Sequence, residues 1–353
     1  MSDAPALYSA VAMQLTARAV DHLTDADARA SMLEHIASIE TRIRASSIFI
    51  AQYGGDPVKL AVLPEYLFTS YPGRISLPDF AAKACWDADG REYEALGAIA
   101  QRLGMFIAGN AYERDAHFPH FYFQTSFVVA PSGDVVLRYR RLMSMFAPSP
   151  HDVWDAYLDH YGAEAVFPVA DTEIGRIAAI ASEEILYPEI ARVLAMRGAE
   201  IFAHSSSEIG SPLTTPKDIA KQARAFENAA YVVSANTAGI EGGGLPKFCA
   251  DGGSRVVDYR GKIMTQSLSG ETLTAFATID IDALRKARRT PAMINSLARQ
   301  RPSLFAEAYA LSAKEFHTAN GMMKDGMPAV PDRDYFKRAQ EAVIVRLDAA
   351  GLI

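Results

Sequence analysis

The sequence has few cysteines, no long apolar run and no excess of positive charge. Its two cysteines, Cys85 and Cys249, are too few for a disulfide framework and exclude a four-cysteine zinc site. Nowhere do about 18 apolar residues follow one another, so no membrane-spanning helix is predicted. Lys and Arg number 35 against 42 Asp and Glu, giving a formal net charge of −7, which argues against nucleic acid as a partner.

The N-terminus also lacks the features of a secretion signal. Asp3 stands where such a signal carries positive charge, and no long apolar core with a small-residue cleavage site follows it. Together with the sparse cysteines, this predicts a cytoplasmic protein. The 353 residues, 50% of them hydrophobic, are enough to bury a substantial core in one large α/β domain or two smaller ones.

Several common catalytic and nucleotide-binding motifs are absent. The sequence contains no GxSxG elbow, no GxxxxGK[ST] loop, no HExxH and no CxxC. We therefore expect neither a metal nor an organic cofactor of the classes that these motifs bind.

What the sequence does contain is a regular alternation of strand and helix patterns. Residues 7–15 form an apolar run typical of a buried strand, and residues 25–46 repeat apolar side chains at helical spacing. The alternation continues almost to the end of the chain. We predict a domain over residues 1–300 and a C-terminal tail over residues 301–353 that packs on a partner subunit.

Three of the predicted strands end in a polar side chain that could act in chemistry. Glu65 follows LAVLP, Arg141 follows LRYR, and Ser182 follows AAIA and precedes a helix that Pro188 opens. Ligands of α/β folds bind outside the carboxyl ends of strands. A carboxylate there could act as a base, a cation could stabilise an oxyanion, and a hydroxyl on a sharp turn could attack a substrate. The alternative is a structural Glu–Arg ion pair beside a serine helix cap.

The three segments together resemble motifs of the nitrilase (carbon–nitrogen hydrolase) superfamily. LPEY at 63–66 is similar to its glutamate motif, YRRL at 139–142 to its lysine motif, and SEEILYPE at 182–189 to its cysteine motif. Supporting similarity lies in residues 192–200, 224–236 and 252–261. The resemblance covers about residues 7–301.

The resemblance implies both a fold and a chemistry. The fold is an α/β αββα sandwich with a C-terminal helical arm, assembled as a homodimer or a larger homo-oligomer. The chemistry is attack of a thiolate on an amide or nitrile carbon of a small molecule, with a glutamate as base and a lysine holding the tetrahedral intermediate. Members of this superfamily need no metal or organic cofactor.

This sequence departs from the family triad at two of its three positions. Glu65 matches, but Arg141 stands at the lysine position and Ser182 at the cysteine position. No cysteine occurs between Cys85 and Cys249 and no lysine between Lys83 and Lys217, so a small shift of alignment restores neither residue. Arg141 keeps a permanent charge but cannot shuttle a proton near neutral pH, and a serine is a weaker nucleophile than a thiolate.

The predicted catalytic residues are therefore Glu65, Arg141 and Ser182. Further side chains near the same strand ends are candidates for lining the substrate pocket: Tyr66, Asp152, Glu183, Glu184, Tyr187 and His204. We predict an enzyme that acts at a carbon–nitrogen bond of a small molecule. Two alternatives remain open: a catalytically silent member that binds a ligand or protein partner, and lyase or condensation chemistry without a covalent intermediate.

Overall fold

The computed structural model describes residues 7–208, 213–244 and 246–353. The helices are α1 (Asp25–Gln52), α2 (Leu77–Ala84), α3 (Arg91–Leu103), α4 (Trp154–Tyr161), α5 (Pro188–Met196), α6 (Pro216–Asn228), α7 (Ile281–Arg289), α8 (Ser303–Ser312) and α9 (Tyr335–Ala349). The strands are β1 (Tyr8–Gln14), β2 (Ala17–Arg18), β3 (Val58–Val62), β4 (Phe106–Arg114), β5 (Tyr122–Val129), β6 (Val135–Arg140), β7 (Ala170–Thr172), β8 (Gly175–Ala181), β9 (Ile201–Ser205), β10 (Tyr231–Ala235), β11 (Ile240–Glu241), β12 (Arg255–Val257), β13 (Ile263–Gln266), β14 (Thr272–Ile279), β15 (Met323–Lys324) and β16 (Met327–Pro328).

Two six-stranded sheets form the body of the protein, and they share one pattern of strand directions. The first has the order β14-β1-β3-β4-β5-β6, and the second, read from its other edge, has the order β7-β8-β9-β10-β12-β13. In each sheet the first and second strands are antiparallel, the next two pairings are parallel and the last two are antiparallel. The strand that precedes Glu65, β3, therefore corresponds to β9 of the second sheet.

The two sheets pack face to face, with helices on their outer faces. Along β1, Val11 and Met13 pack in the cluster that contains the apolar face of α1, whereas Ala10 and Ala12 pack in the cluster shared with the second sheet. This alternation follows from the two-residue period of a strand. The result is the αββα layer order that the family resemblance implies, with α5 and α6 covering the second sheet.

Most predicted elements appear where the sequence places them. The strand predicted over residues 7–15 is β1, Tyr8–Gln14. The helix predicted over residues 25–46 begins at Asp25 but continues to Gln52, because buried Ile50 extends its apolar face by a further turn.

The C-terminal arm lies along its own chain in this structure. Arg333 donates to the carbonyl oxygen of Phe146 at 2.7 Å and to the hydroxyl of Tyr122 at 3.1 Å. The amide of Met322 donates to the carbonyl of Asp152 at 3.0 Å. These contacts fix the arm beside the end of β6, and the packing on a partner subunit predicted for residues 301–353 stays a prediction. No helix in the described part of the chain is both long and apolar enough to cross a membrane.

Buried His35 on α1 is expected to make the stability of the protein depend on pH. Its ring packs edge-on against Phe68 with centroids 5.7 Å apart, and its Nδ1 atom has no hydrogen-bond partner. Burial lowers the pKa of His35 to about 3, from the ordinary histidine value of about 6.5. Below about pH 6.5 the imidazole of His35 is protonated in the unfolded chain but stays neutral in the folded chain. The free energy of unfolding therefore decreases as pH falls.

From pH 7 to pH 5 this residue alone should cost the wild-type protein about 2 kcal/mol of unfolding free energy. Urea unfolding of His35→Leu at both pH values should show a pH dependence smaller by that amount. His120→Gln, at an exposed histidine, is the matched control and should keep the wild-type dependence. An unchanged dependence in His35→Leu would contradict the prediction.

Candidate active site

The ends of β3, β6 and β8 meet at one edge of the sandwich. The backbone amide of Glu65, after β3, donates to the carbonyl oxygen of Ser206 at 3.2 Å. The preceding Ser205 pairs with Ala181, whose next residue is Ser182. Arg141, after β6, forms ion pairs with both Glu65 and Glu183. The structure therefore brings together the three residues predicted as catalytic.

Glu65 is held by a buried polar network. Its Oε1 atom accepts from the guanidinium of Arg141 at 3.1 Å and from the amide of Gln124 at 2.8 Å. The carboxamide of Gln124 also donates to Asn110 at 3.0 Å and accepts from Arg141 at 2.6 Å. Glu65 is 3% exposed. Its Oε2 atom makes no hydrogen bond within the described residues, so one carboxylate oxygen is anchored and the other is available.

The guanidinium of Arg141 is almost fully used by the protein itself. Besides Glu65 and Gln124 it contacts the carbonyl oxygen of Met143, to which its Nε atom donates at 2.8 Å, and the carboxylate of Glu183. The side chain is 5% exposed. A guanidinium offers five N–H donors and does not release a proton at neutral pH. Arg141 therefore locks the orientation of two carboxylates and has one donor to spare.

Ser182 lies on a strained turn between β8 and a 3-10 helix, Ser182–Leu186. Its φ angle is 47°, in the left-handed region that non-glycine residues rarely adopt. A residue in such a conformation costs about 1–3 kcal/mol, and such residues concentrate at functional sites. The side chain is 2% exposed. This geometry places Ser182 on the strand-to-helix turn expected from the sequence, at a buried position.

His204 is hydrogen-bonded to the main chain of this turn. Its Nε2 atom lies 2.8 Å from the carbonyl oxygen of Ser182, and its Nδ1 atom lies 2.8 Å from the hydroxyl of Ser234. Because a carbonyl only accepts, Nε2 carries the proton and donates, and Nδ1 accepts from Ser234. Burial lowers the pKa of His204 well below its usual value, so the ring is neutral. Both nitrogens are thus used within the protein, which differs from the pocket-lining position expected from the sequence.

Glu184 is likewise turned inward. It is fully buried, and one oxygen accepts from the backbone amides of Leu142 and Met143 at 2.7 and 2.9 Å. The other accepts from the hydroxyl of Tyr139 at 2.9 Å. Burial raises the pKa of this carboxyl group. Glu184 therefore fastens the segment after Arg141 to the Ser182 turn and presents no unused oxygen to a substrate, contrary to its predicted position.

The other pocket candidates lie in two places. Asp152, Glu183 and Tyr187 line one cavity of about 460 Å³ between the loop after β6 and the C-terminal arm. Asp152 also accepts from the backbone amide of Ser149 at 2.8 Å in a capping box. Tyr66, directly after Glu65, has a φ of 37°, and burial raises the pKa of its hydroxyl. The structure thus places Asp152, Glu183 and Tyr187 in one cavity, and Tyr66 directly after Glu65.

Lys217, at the start of α6, is a site residue that the sequence analysis did not single out. Its ammonium group donates to the hydroxyl oxygen of Ser182, with Nζ and Oγ 3.3 Å apart. A usable signal exists in the sequence. Lys217 is the first lysine after a gap that begins at Lys83, and it opens the helix that follows β9, whose carboxyl end lies at the same sheet edge.

Gln124 and Asn110 were also missed. Asn110 on β4 and Gln124 on β5 are amide side chains at fully buried strand positions. Buried amides are retained where hydrogen bonds satisfy them, so an amide at such a position is a signal for a polar network. In the described part of the chain, no group of three or more His, Cys, Asp or Glu side chains is placed to hold a metal ion.

Comparison with known proteins shows where similar chains occur. The model of the family described as Carbon-nitrogen hydrolase matches residues 12–289. Omega-amidase NIT2 of Bos taurus is 24% identical over 232 residues, which cover 65% of this chain and 80% of that protein. The formamidase of Helicobacter acinonychis is 24% identical over 205 residues, covering 58% of this chain and 57% of that protein.

Two solved structures show the same arrangement of layers. A carbon-nitrogen hydrolase from Helicobacter pylori gives a TM-score of 0.64 at 19% identity, over 86% of this chain and 98% of that one. An amidase from Nesterenkonia gives a TM-score of 0.57 at 19% identity, over 87% of this chain and 98% of that one.

Proposed function

The chain belongs to the carbon–nitrogen hydrolase family of the nitrilase superfamily, and from this premise we propose that it hydrolyses an amide or nitrile bond of a small molecule through Ser182. The observation that carries the proposal is the convergence of three side chains at one sheet edge. Glu65 is ion-paired to Arg141, and Arg141 is ion-paired to Glu183, the neighbour of Ser182. The family's catalytic positions are thus assembled, although two of them hold different residues.

Ser182 would attack the substrate carbon. The strained turn holds its hydroxyl at the carboxyl end of β8, and His204 fixes the carbonyl of the same residue. A serine becomes an effective nucleophile when a nearby base takes its proton. Glu65 is the base in this proposal, because its Oε1 atom is anchored while Oε2 has no partner in the described residues.

Arg141 would set the electrostatics of the site. Its guanidinium pairs with both Glu65 and Glu183, and its remaining N–H can face the oxyanion that forms when Ser182 attacks. Because it does not exchange protons, the proton that the leaving nitrogen needs must come from another group.

The cavity lined by Asp152, Glu183 and Tyr187 would receive the substrate. Its volume of about 460 Å³ suits a small molecule. The far wall consists of residues of the arm, including His317, Tyr335 and Arg346, so the arm completes the cavity within one chain. Asp152 and Arg346 then present opposite charges to the bound molecule.

The test is a panel of small amides, ureides and nitriles, assayed for ammonia release in ¹⁸O-labelled water. The panel includes formamide, butyramide, ω-amides of dicarboxylic acids, N-carbamoyl amino acids and aliphatic nitriles. Hydrolysis of an amide predicts ammonia and one ¹⁸O atom in the new carboxylate, and hydrolysis of a nitrile predicts ammonia and two. An N-carbamoyl amino acid should give ammonia, the free amino acid and ¹⁸O-labelled carbon dioxide. Turnover without ¹⁸O would indicate lyase or condensation chemistry, and ligand retention without any turnover would indicate a silent binding protein; either result would contradict the proposal.

We further propose that the protein assembles as a homodimer or larger homo-oligomer in the cytoplasm. Helix α8 supports the assembly, because Leu304, Phe305, Tyr309 and Leu311 are 66%, 53%, 59% and 69% exposed. Contiguous exposed apolar side chains commonly mark an interface. Sedimentation at micromolar concentration should show a species larger than 38.3 kDa, and a monodisperse monomer would contradict this proposal.

A further inference from the structure

We propose that Lys217 is the proton shuttle of this hydrolase: its ammonium group protonates the leaving nitrogen, and the resulting amine then takes a proton from the hydrolytic water. The inference rests on the proposed function and names a residue for a step that Arg141 cannot perform. Its basis is the contact of 3.3 Å between Lys217 Nζ and Ser182 Oγ. The ammonium therefore lies beside the oxygen to which the acyl group becomes attached.

Lys217 has no carboxylate partner among the described residues, although carboxylates lie nearby. Glu208 is ion-paired to fully buried Lys221. Asp218 is ion-paired to Arg255 at 2.6 Å, and one of its oxygens caps the helix at Thr215. The acidic groups around the start of α6 are thus committed to other cations, which leaves Lys217 directed at Ser182.

Helix stability does not explain the position of Lys217. The residue lies in the first turn of α6, after Pro216, where the helix dipole favours acidic side chains and disfavours a cation. The side chain is only half-buried and fills no core position. Its hydrogen bond goes to the Ser182 hydroxyl, and its interaction with Glu208 is a longer-range electrostatic one.

Arg141, in contrast, is unsuited to the same step. It has four partners in the protein and keeps its proton throughout the physiological pH range. A lysine ammonium can give up a proton and regain it. In this proposal two cations replace the single lysine of the family. Arg141 orients Glu65, and Lys217 transfers the proton.

The proposed sequence of steps balances for an amide. Glu65 takes the Ser182 proton as Oγ bonds to the carbonyl carbon; the carbon–nitrogen bond then breaks, and Lys217 gives its proton to the departing nitrogen, releasing ammonia. Water attacks the acyl ester and loses a proton to Lys217. The carbon–Oγ bond breaks, Oγ regains the proton from Glu65, and the carboxylic acid leaves.

The experiment compares Lys217→Arg and Lys217→Met on two substrates with the same acyl group: butyramide and p-nitrophenyl butyrate. Nitrophenolate can leave as an anion, whereas the nitrogen of an amide must be protonated before it can leave. We expect kcat for the amide to fall by about 10²-fold or more in both variants. The pre-steady-state burst of nitrophenolate, which reports acylation of Ser182, should stay within a few-fold of the wild-type rate.

Lys262→Arg and Lys262→Met are the matched controls, because Lys262 is exposed in the β12–β13 hairpin and its ammonium makes no recorded contact in the described residues. Both should behave as wild type. Full amide turnover in Lys217→Arg would overturn the shuttle, since charge alone would then suffice. Equal losses of amide turnover and ester burst would also overturn it in favour of a structural role. A wild-type protein with neither turnover nor burst would overturn the proposed function itself.

Discussion

Replacing Ser182 with alanine is expected to reduce amide turnover by on the order of 10⁴-fold or more. The substitution removes the oxygen that forms the acyl ester, and no other described side chain lies on the same strained turn in contact with Lys217. Alanine also lacks the hydroxyl that accepts from the ammonium group. The main chain at this position keeps its hydrogen bond to His204, so the variant should fold as wild type does.

Two measurements check this expectation. Steady-state ammonia release gives the loss of kcat, and intact-protein mass spectrometry after reaction with p-nitrophenyl butyrate shows whether an acyl group is attached. Ser132→Ala, in the exposed turn before β6, is the control and should keep both activities. Acylation or turnover that persists in Ser182→Ala would place the nucleophile elsewhere and remove the basis for a serine hydrolase.

The strand ends were predictable from the sequence because each is a local event. An apolar run of strand length stops at a charged or hydroxyl residue near Pro64, Arg140 or Glu183. The Ser182 elbow was predicted on the same grounds. Tertiary packing did not need to be known for any of these conclusions. The order of the layers, in contrast, was implied by the resemblance to the nitrilase superfamily.

Side-chain direction and contacts distant in sequence were not predictable in this way. Glu183 and Glu184 are neighbours in one motif, yet one reaches Arg141 at the cavity and the other is fully buried under the β6 loop. Lys217 is 35 residues from Ser182, and their contact exists only because α6 packs against the 3-10 turn that begins at Ser182. No periodicity in the sequence encodes that distance.

The matching strand directions of the two sheets could not be predicted from the sequence either. Strand β3 precedes Glu65, and strand β9 carries His204. Each is the third strand of its sheet, and the two sheets have the same order of parallel and antiparallel pairings. The sequences of β3 and β9, VKLAV and IFAHS, share only an apolar character. A sheet position requires buried side chains of suitable size and no particular residue, so the fold repeats where the sequence does not.

Replacing Glu65 with glutamine is expected to reduce amide turnover by about 10³-fold. Glutamine has nearly the same shape and still offers an oxygen to Arg141 and Gln124, so the network of Asn110, Gln124 and Arg141 should persist. It cannot take the proton of Ser182, because a carboxamide is not a base at neutral pH. The loss should fall on kcat more than on KM, since binding in the cavity beyond Glu183 is unaffected.

The decisive comparison is with Glu183→Gln. Glu183 is the second carboxylate that is ion-paired to Arg141, so the two variants make the same change to the two partners of one guanidinium. If Glu65 serves as the base, Glu65→Gln should lose far more activity than Glu183→Gln, because both variants remove one negative charge from Arg141 but only one removes the base. Equal losses would show that Glu65 acts as a counter-ion of Arg141 and that the base is another group. Thermal unfolding of both variants separates these outcomes from misfolding, since Arg141 keeps one carboxylate partner in each.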